Sequence, residues 1–275
     1  MAAAHNPLQK NADRFTGFAD VYDRARPTVP HQPIAVLCGY LGRRPDVVVD
    51  LGSGTGLSAR AWEGRCGRVI GVEPSADMLR VANEKAGAAI SFVQAFANDT
   101  GLPAASADIV VCSQSFHWME PVSTLREADR LLKDGGVFAA IDCDWPPVTR
   151  WQAEEAYMAL YGKAKQLEQT LPAVRESFVR YDKNNHLENI RQSGYFRYCR
   201  EIVFSNTERC TARRLVELLL SQGSLQAVRR HAPGPIETAI AQFSRRMEEI
   251  YGDGAFDIDF CYRMRVGIKQ TLLDL

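Results

Sequence analysis

The segment Val47 to Gly56, VVVDLGSGTG, constrains the fold of this chain more than any other part of it. Three β-branched residues in succession suit an extended strand, and the run ends on an acid, Asp50. Glycines then stand at the alternate positions 52, 54 and 56. Glycine tolerates positive φ and lets another group lie directly on the backbone. Helix-like sequence follows from Leu57 to Trp62. In an α/β fold such a strand–turn–helix junction borders the crevice outside the carboxyl ends of the strands. The G-x-G-x-G spacing differs from the dinucleotide G-x-G-x-x-G pattern. On these residues alone two readings stay open: a tight turn with no ligand, or a turn that carries a nucleotide-type cofactor.

The same rhythm extends over residues 34–142. Strands are expected at Val69–Val72, Ile90–Val93, Asp108–Ser113 and Val137–Ile141, and helices at Ser75–Lys85 and Val122–Lys133. Leu125, Ala128, Leu131 and Leu132 recur at helical spacing, and Gly135-Gly136 reads as the helix stop. Unbroken apolar strands separated by helices imply a parallel sheet covered on both faces. After Asp142 the rhythm changes at Trp145-Pro146-Pro147. Helical sequence is expected over 154–169 and 171–192, then a strand over 197–205, a helix over 212–222, a loop at Pro233-Gly234-Pro235, a helix over 237–251 and a last strand over 257–268. The expected fold class is α/β: a doubly wound, Rossmann-like, mostly parallel seven-stranded sheet with a helical cap inserted after the fifth strand. Its expected sections are an N-terminal arm or lid (1–30), a cofactor-binding core (31–144), an acceptor-side cap (145–195) and C-terminal elements that complete the sheet (196–275).

Composition narrows the partners. Thirty-three Lys and Arg balance thirty-three Asp and Glu in 275 residues, so nucleic acid, whose phosphates call for a basic excess, is not expected as the main partner. No apolar run reaches the ~18 residues of a membrane span. The polar start lacks the apolar core of a secretory signal. The seven cysteines are odd in number, widely spaced and without C-x-x-C. They point to reduced thiols and a cytoplasmic setting, with neither a zinc site nor a disulfide framework; no metal is expected.

A second acid, Glu73, ends the second expected strand. In a parallel sheet it stands beside the glycine turn, where an acid can accept the hydroxyls of a ribose. With this pair the sequence resembles the class I S-adenosylmethionine-dependent methyltransferases, over residues 15–142. Asp50, Gly52, Ser53, Gly54, Thr55 and Gly56 look like their first motif; Glu73, Pro74 and Met78 belong to a segment like their second, with Glu73 as the ribose acid and Met78 near the adenine. Leu102-Pro103 and Ser106–Val111 match the run into the fourth strand. The resemblance places Ala97 and Asn98 at the adenine edge, although Phe96 stands where many relatives carry an aspartate, and it places Ser113 and Gln114 near the methionine moiety. Residues 15–30 resemble the lid of the small-molecule branch that includes trans-aconitate methyltransferase-like proteins, with methyltransferase type 11 domains. There Tyr22 and Arg26 would fold over the cofactor's methionine tail, Arg26 on its α-carboxylate. Because their evident partner is the cofactor, the arm is expected to order with it.

The resemblance implies methyl transfer from S-adenosylmethionine, leaving S-adenosylhomocysteine, to a small-molecule acceptor, most simply at a hydroxyl or carboxylate oxygen. Ser113 to Met119, SQSFHWM, resembles the Q-x-x-H-W element of that branch, which puts His117 and Trp118 toward the acceptor. A hydroxyl acceptor must lose a proton, and a histidine titrates in a suitable range; a carboxylate needs only positioning. His117 is thus a base or positioning candidate. Trp118, Trp145 and Trp151 are candidate acceptor contacts. Alternatives are C-methylation of a quinone-like ring, carboxyl methylation of a malonyl carrier protein, and a non-catalytic S-adenosylmethionine-binding protein. The basic residues Arg209, Arg213, Arg214, Arg229 and Arg230 offer a solvated face or an acyl-carrier-protein docking patch. The oligomeric state stays open.

Overall fold

In the computed structural model, which describes residues 7–270, the apolar runs form one seven-stranded sheet. Its strands are β1 (Val47–Leu51), β2 (Arg68–Val72), β3 (Ile90–Val93), β4 (Ala107–Ser113), β5 (Leu132–Cys143), β6 (Phe196–Thr211) and β7 (Ala255–Lys269). They lie in the order β3-β2-β1-β4-β5-β7-β6. Strands β1 to β5 pair in parallel, and β7 runs antiparallel to β5. The expected fold class is therefore observed. Strand order reverses between β1 and β4, the switch point at which such sheets open a crevice. The central strands are covered on both faces: Val48, Val49 and Leu51 of β1 and Ile109, Val110 and Val111 of β4 are fully buried. That double coverage is why they read as unbroken apolar runs.

The lower ends of these strands are tied by Asp108. Its carboxylate is buried and accepts from the backbone of Asp46 (2.7 Å) and Val47 (2.9 Å), from Arg43 (2.6 Å) and from Lys133 (2.9 Å). One acid thus joins the start of β1 to the starts of β4 and β5. These donors hold it in the ionised form, down at about 2.

The described residues divide into two compact units. The sheet unit comprises 28–143, 180–204 and 262–270; the other unit comprises 7–27, 144–179 and 205–261. The first six residues of the expected arm and the last five of the expected C-terminal section lie outside the described residues. Within the second unit, helices Trp151–Thr170 and Pro233–Tyr251 bury Tyr157, Leu160, Phe243 and Met247.

Several element boundaries differ from the sequence reading. The helix expected over 171–192 is instead a short helix, Pro172–Arg175, an irregular stretch, a single turn at Lys183–Asn185 and a helix at His186–Gln192. Tyr181 gives its backbone N–H to the His117 carbonyl (2.9 Å), and Asp182 caps the next turn through Asn184 N–H (2.9 Å). These bonds satisfy the backbone outside a helix and override local propensity. The Pro121–Leu131 helix ends where β5 begins, and Gly135-Gly136 lies within that strand rather than at a helix stop. Pro233 starts a helix instead of a loop, since its missing N–H has no partner to lose in a first turn. A helix at Gly223–His231 was not expected.

No helix among the described residues is long and apolar enough to cross a membrane. All seven cysteines are unpaired thiols.

Candidate active site

The junction after β1 is built as its composition requires. Gly52, Gly54 and Gly56 have φ of 69°, 56° and 81°. Gly52 and Ser53 both donate to the Val72 carbonyl (2.8 and 3.1 Å), which holds the turn against the end of β2. A Cβ on Gly52 would meet Ser115 Cβ at 2.6 Å, so the turn and the loop after β4 pack backbone to side chain. A Cβ on Gly54 would meet nothing within 4 Å. Gly52 is thus required by packing, whereas the backbone at Gly54 borders open space.

Two acids face this turn. Glu73 is buried and accepts from Gly54 N–H (3.0 Å) and Ser75 N–H (2.9 Å). Burial pushes its carboxyl up to about 7 against those two donors. Asp50 is fully buried; neither oxygen has a hydrogen bond of good geometry, although the Ser58 hydroxyl is close enough to favour the anion. Burial, and then the Glu73 charge, push it up to about 8. A buried carboxylate without partners is costly, and these oxygens are suited to donors from a ligand. Pro74 is half-buried, and Met78, in the helix Ala76–Glu84, is buried at 2% exposure. Ala97 and Asn98 form a tight turn between Phe96 and Asp99. A cleft of about 290 Å³ in the same unit, lined by Val29, His31, Leu57, Arg60 and Arg65 among others, starts one residue after the glycine turn and includes neither acid.

The loop after β4 forms the other wall. Ser115 Oγ donates to the Leu51 carbonyl at 2.6 Å. Gln114 has φ of 56°, a left-handed conformation unusual for a side chain with a Cβ, and donates its N–H to the Ile141 carbonyl (2.8 Å). Ser113 ends β4, half-buried. His117 and Trp118 sit on one helical turn, Phe116–Trp118, with ring centroids 4.8 Å apart. His117 is buried, and its Nδ1 lies 3.5 Å from Asp142 at the end of β5. Burial, and then Lys183, push His117 down to about 3.

Thus the sheet unit brings together Asp50, the glycine turn, Glu73, Ser113, Gln114, His117 and Trp118. Tyr22, Arg26, Trp145 and Trp151 belong to the other unit. There Arg26 donates to the Ser221 carbonyl (3.0 Å) and Gln222 Oε1 (3.2 Å) and lies over Tyr22 and Trp145. The helices Pro7–Asp13 and Ala19–Ala25 are already formed. The expectation that Tyr22 and Arg26 find partners only in the cofactor is corrected: polar groups and rings of their own unit engage them. Trp151 is 68% exposed. The five arginines of the basic stretch each have a protein partner, in Asp257, Glu217, Glu208, Glu237 and the Thr16 carbonyl.

The sequence reading missed Asp142 and Lys183. A third acid near a strand end, in β5, was visible in DCDW, but nothing local pointed to Lys183, which a distant segment delivers.

The seven-stranded sheet, with Asp50 near the end of β1 and Glu73 just after β2, is the arrangement that the resemblance to class I methyltransferases implies. Residues 49–140 match the methyltransferase domain family. Over 123 residues the chain is 33% identical to an uncharacterised methyltransferase of Mycobacterium tuberculosis, covering 44% of this chain and 49% of that protein. The chain spans about half the length of the curated relatives it matches. Among solved structures, a candidate type II methyltransferase from Anaeromyxobacter dehalogenans superposes with a TM-score of 0.68 at 21% identity, over 90% of this chain and 99% of that one. The YcgJ protein of Bacillus subtilis gives 0.53 at 19% identity, over 88% and 99%.

Proposed function

We propose that this protein transfers a methyl group from S-adenosylmethionine to an oxygen of a small-molecule acceptor, a hydroxyl or a carboxylate. The carrying observation is the buried acid pair, Asp50 and Glu73, set at a glycine turn whose Gly54 face is open. Two carboxyls held near neutral pH by burial are matched to a ligand with hydroxyl donors and positive charge. Glu73 would accept from the ribose, while Asp50 would hold the turn and favour the charged end of the ligand. Asn98 and Ala97 would border the adenine, and Ser113 and Gln114 the methionine moiety, with Gln114 at its reactive end, where the acceptor would meet it.

S-adenosylmethionine supplies an electrophilic methyl group that carries its own positive charge. What remains for the protein is orientation, close approach and exclusion of water. His117 is the group of this loop that can hold an acceptor oxygen or its proton, with Trp118 as an apolar wall.

The test is a calorimetric titration with S-adenosylhomocysteine of the intact protein and of Glu73→Ala. Micromolar binding that weakens at least tenfold, about 1.4 kcal/mol, is expected. A folded protein that does not bind, or a variant that binds equally well, removes this reading.

A further inference from the structure

The end of β5 carries a buried charge cluster that the reaction outlined above does not yet use. Asp142 is 2% exposed. Lys183 Nζ lies 2.8 Å from its Oδ1, and Arg265 donates to its Oδ2 at 3.1 Å. His117 Nδ1 lies 3.5 Å from Oδ1 and His186 Nε2 3.6 Å from Oδ2. Arg265 is held in turn by Glu201 (2.7 Å), which also meets Arg263 (3.3 Å). His117, Asp142 and His186 stand close enough to share one metal ion. However, both Asp142 oxygens already serve two cations, which an incoming ion would have to displace. The cluster is better suited to organising the loop after β4.

We propose that Asp142 and Lys183 are positioning residues: Asp142 keeps the proton of His117 on Nδ1, and Lys183 sets the amide of Gln114, so that the site presents one acceptor and one donor to a hydroxyl-bearing methyl acceptor. Three observations carry this. First, Nδ1 is the buried nitrogen of His117 and faces Asp142 Oδ1 at 3.5 Å, near enough for the charge to favour a proton there although the contact lacks the geometry of a hydrogen bond. A carboxylate selects the protonated nitrogen, which leaves Nε2 with its lone pair. Second, Lys183 can only donate, and it donates to Gln114 Oε1 at 3.4 Å. That fixes which end of the amide is oxygen and turns Nε2 of Gln114 away as a buried donor without a partner. Third, Gln114 keeps its left-handed φ at the end of a buried strand, a strain that clusters at sites where geometry matters.

A hydroxyl fits a lone pair and a donor together. A carboxylate has no proton to give and would face the lone pair of His117. In the transfer, the hydroxyl oxygen forms the bond to the methyl carbon. The carbon–sulfur bond breaks with its electron pair left on sulfur, and the hydroxyl proton passes to His117 Nε2. Burial and Lys183 make His117 a weak base, which is sufficient because an oxygen that has begun to bond carbon is a far stronger acid than the free hydroxyl. Against its burial, His117 and Lys183, and then His186, hold the Asp142 carboxyl in the ionised form, well below the usual range; Arg265 donates to its Oδ2, and Glu201 faces Arg265 rather than Asp142. This inference rests on reading the loop after β4 as the acceptor side.

The experiment is nitrogen NMR of imidazole-labelled protein, with His117→Gln identifying the His117 signal among the five histidines. His117 is expected neutral, protonated on Nδ1, with no titration from about pH 5.5 to 8.5. Asp142→Asn is expected to lose that tautomer preference, and Lys183→Met to raise the midpoint of His117. An Nε2–H or charged His117 at pH 7, or an unchanged tautomer in Asp142→Asn, overturns the proposal. If Asp142→Asn does not fold, the intact protein and Lys183→Met decide. With S-adenosylhomocysteine bound, saturating phenol is expected to move the His117 signal and benzoate not. A response to benzoate alone, or to neither, overturns the hydroxyl assignment. Calorimetry on the same sample separates the two readings: no S-adenosylhomocysteine binding with an Nδ1–H histidine removes the methyltransferase reading alone, and binding with an Nε2–H histidine removes the positioning role alone.

Discussion

Asp50 and Glu73 ionise reluctantly in the free protein because burial removes the water that would solvate their charge. Both are raised, to about 8 and about 7, so between the unfolded value near 4 and those values the folded state binds more protons than the unfolded one. Stability therefore falls as pH rises through that window in the absence of ligand. A ligand that donates hydrogen bonds or brings positive charge reverses the preference and releases protons. The affinity for S-adenosylhomocysteine is expected to rise from pH 6 to pH 8, with proton release visible as a dependence of the binding heat on buffer ionisation enthalpy. An affinity flat across that range would detach the acids from the ligand. At this scale both acids were legible in the sequence, since each ends a β-branched run. Lys183 was not, because its partners Gln114 and Asp142 lie 69 and 41 positions away (183 − 114 and 183 − 142).

Among the elements, Asp108 ties the lower ends of β1, β4 and β5 with four donors while leaving the crevice end alone. Asp108→Ala leaves two backbone N–H groups and two cations without their acceptor. A loss of about 3 kcal/mol is expected in urea unfolding. Its carboxyl is depressed to about 2, so its contribution is complete above the unfolded value near 4 and is lost as pH falls through the folded one. The stability difference between the intact protein and the variant should thus shrink between about pH 4 and pH 2; a constant difference would show that the acid acts through packing rather than charge. Strand positions in the first half were legible because double burial makes them continuous apolar runs. The segment 171–192 was misread because its helical composition competes with backbone bonds to the His117 loop and to Asp182, which no local pattern encodes.

At the level of the whole molecule, the two units are assembled from interleaved stretches of chain. A ligand held by the sheet unit at about a hundred times its dissociation constant adds about 2.7 kcal/mol to that unit. For a chain of this size that raises the midpoint by about 5–10 °C, and scanning calorimetry with S-adenosylhomocysteine should show it. If two transitions are resolved, the sheet unit's is the one that moves; an unmoved profile under saturating ligand would contradict a site in that unit. The α/β class, the sheet's parallel half and the cofactor turn follow from periodicity, strand-end acids and glycine spacing, all of which are short-range properties of the chain. The partition into units, the engagement of Arg26 within its own unit and the Asp142 cluster do not. They depend on which distant segments meet, and charge pairing across 40 to 120 residues leaves no periodic trace, because any exposed lysine or arginine looks alike until a buried carboxylate selects one.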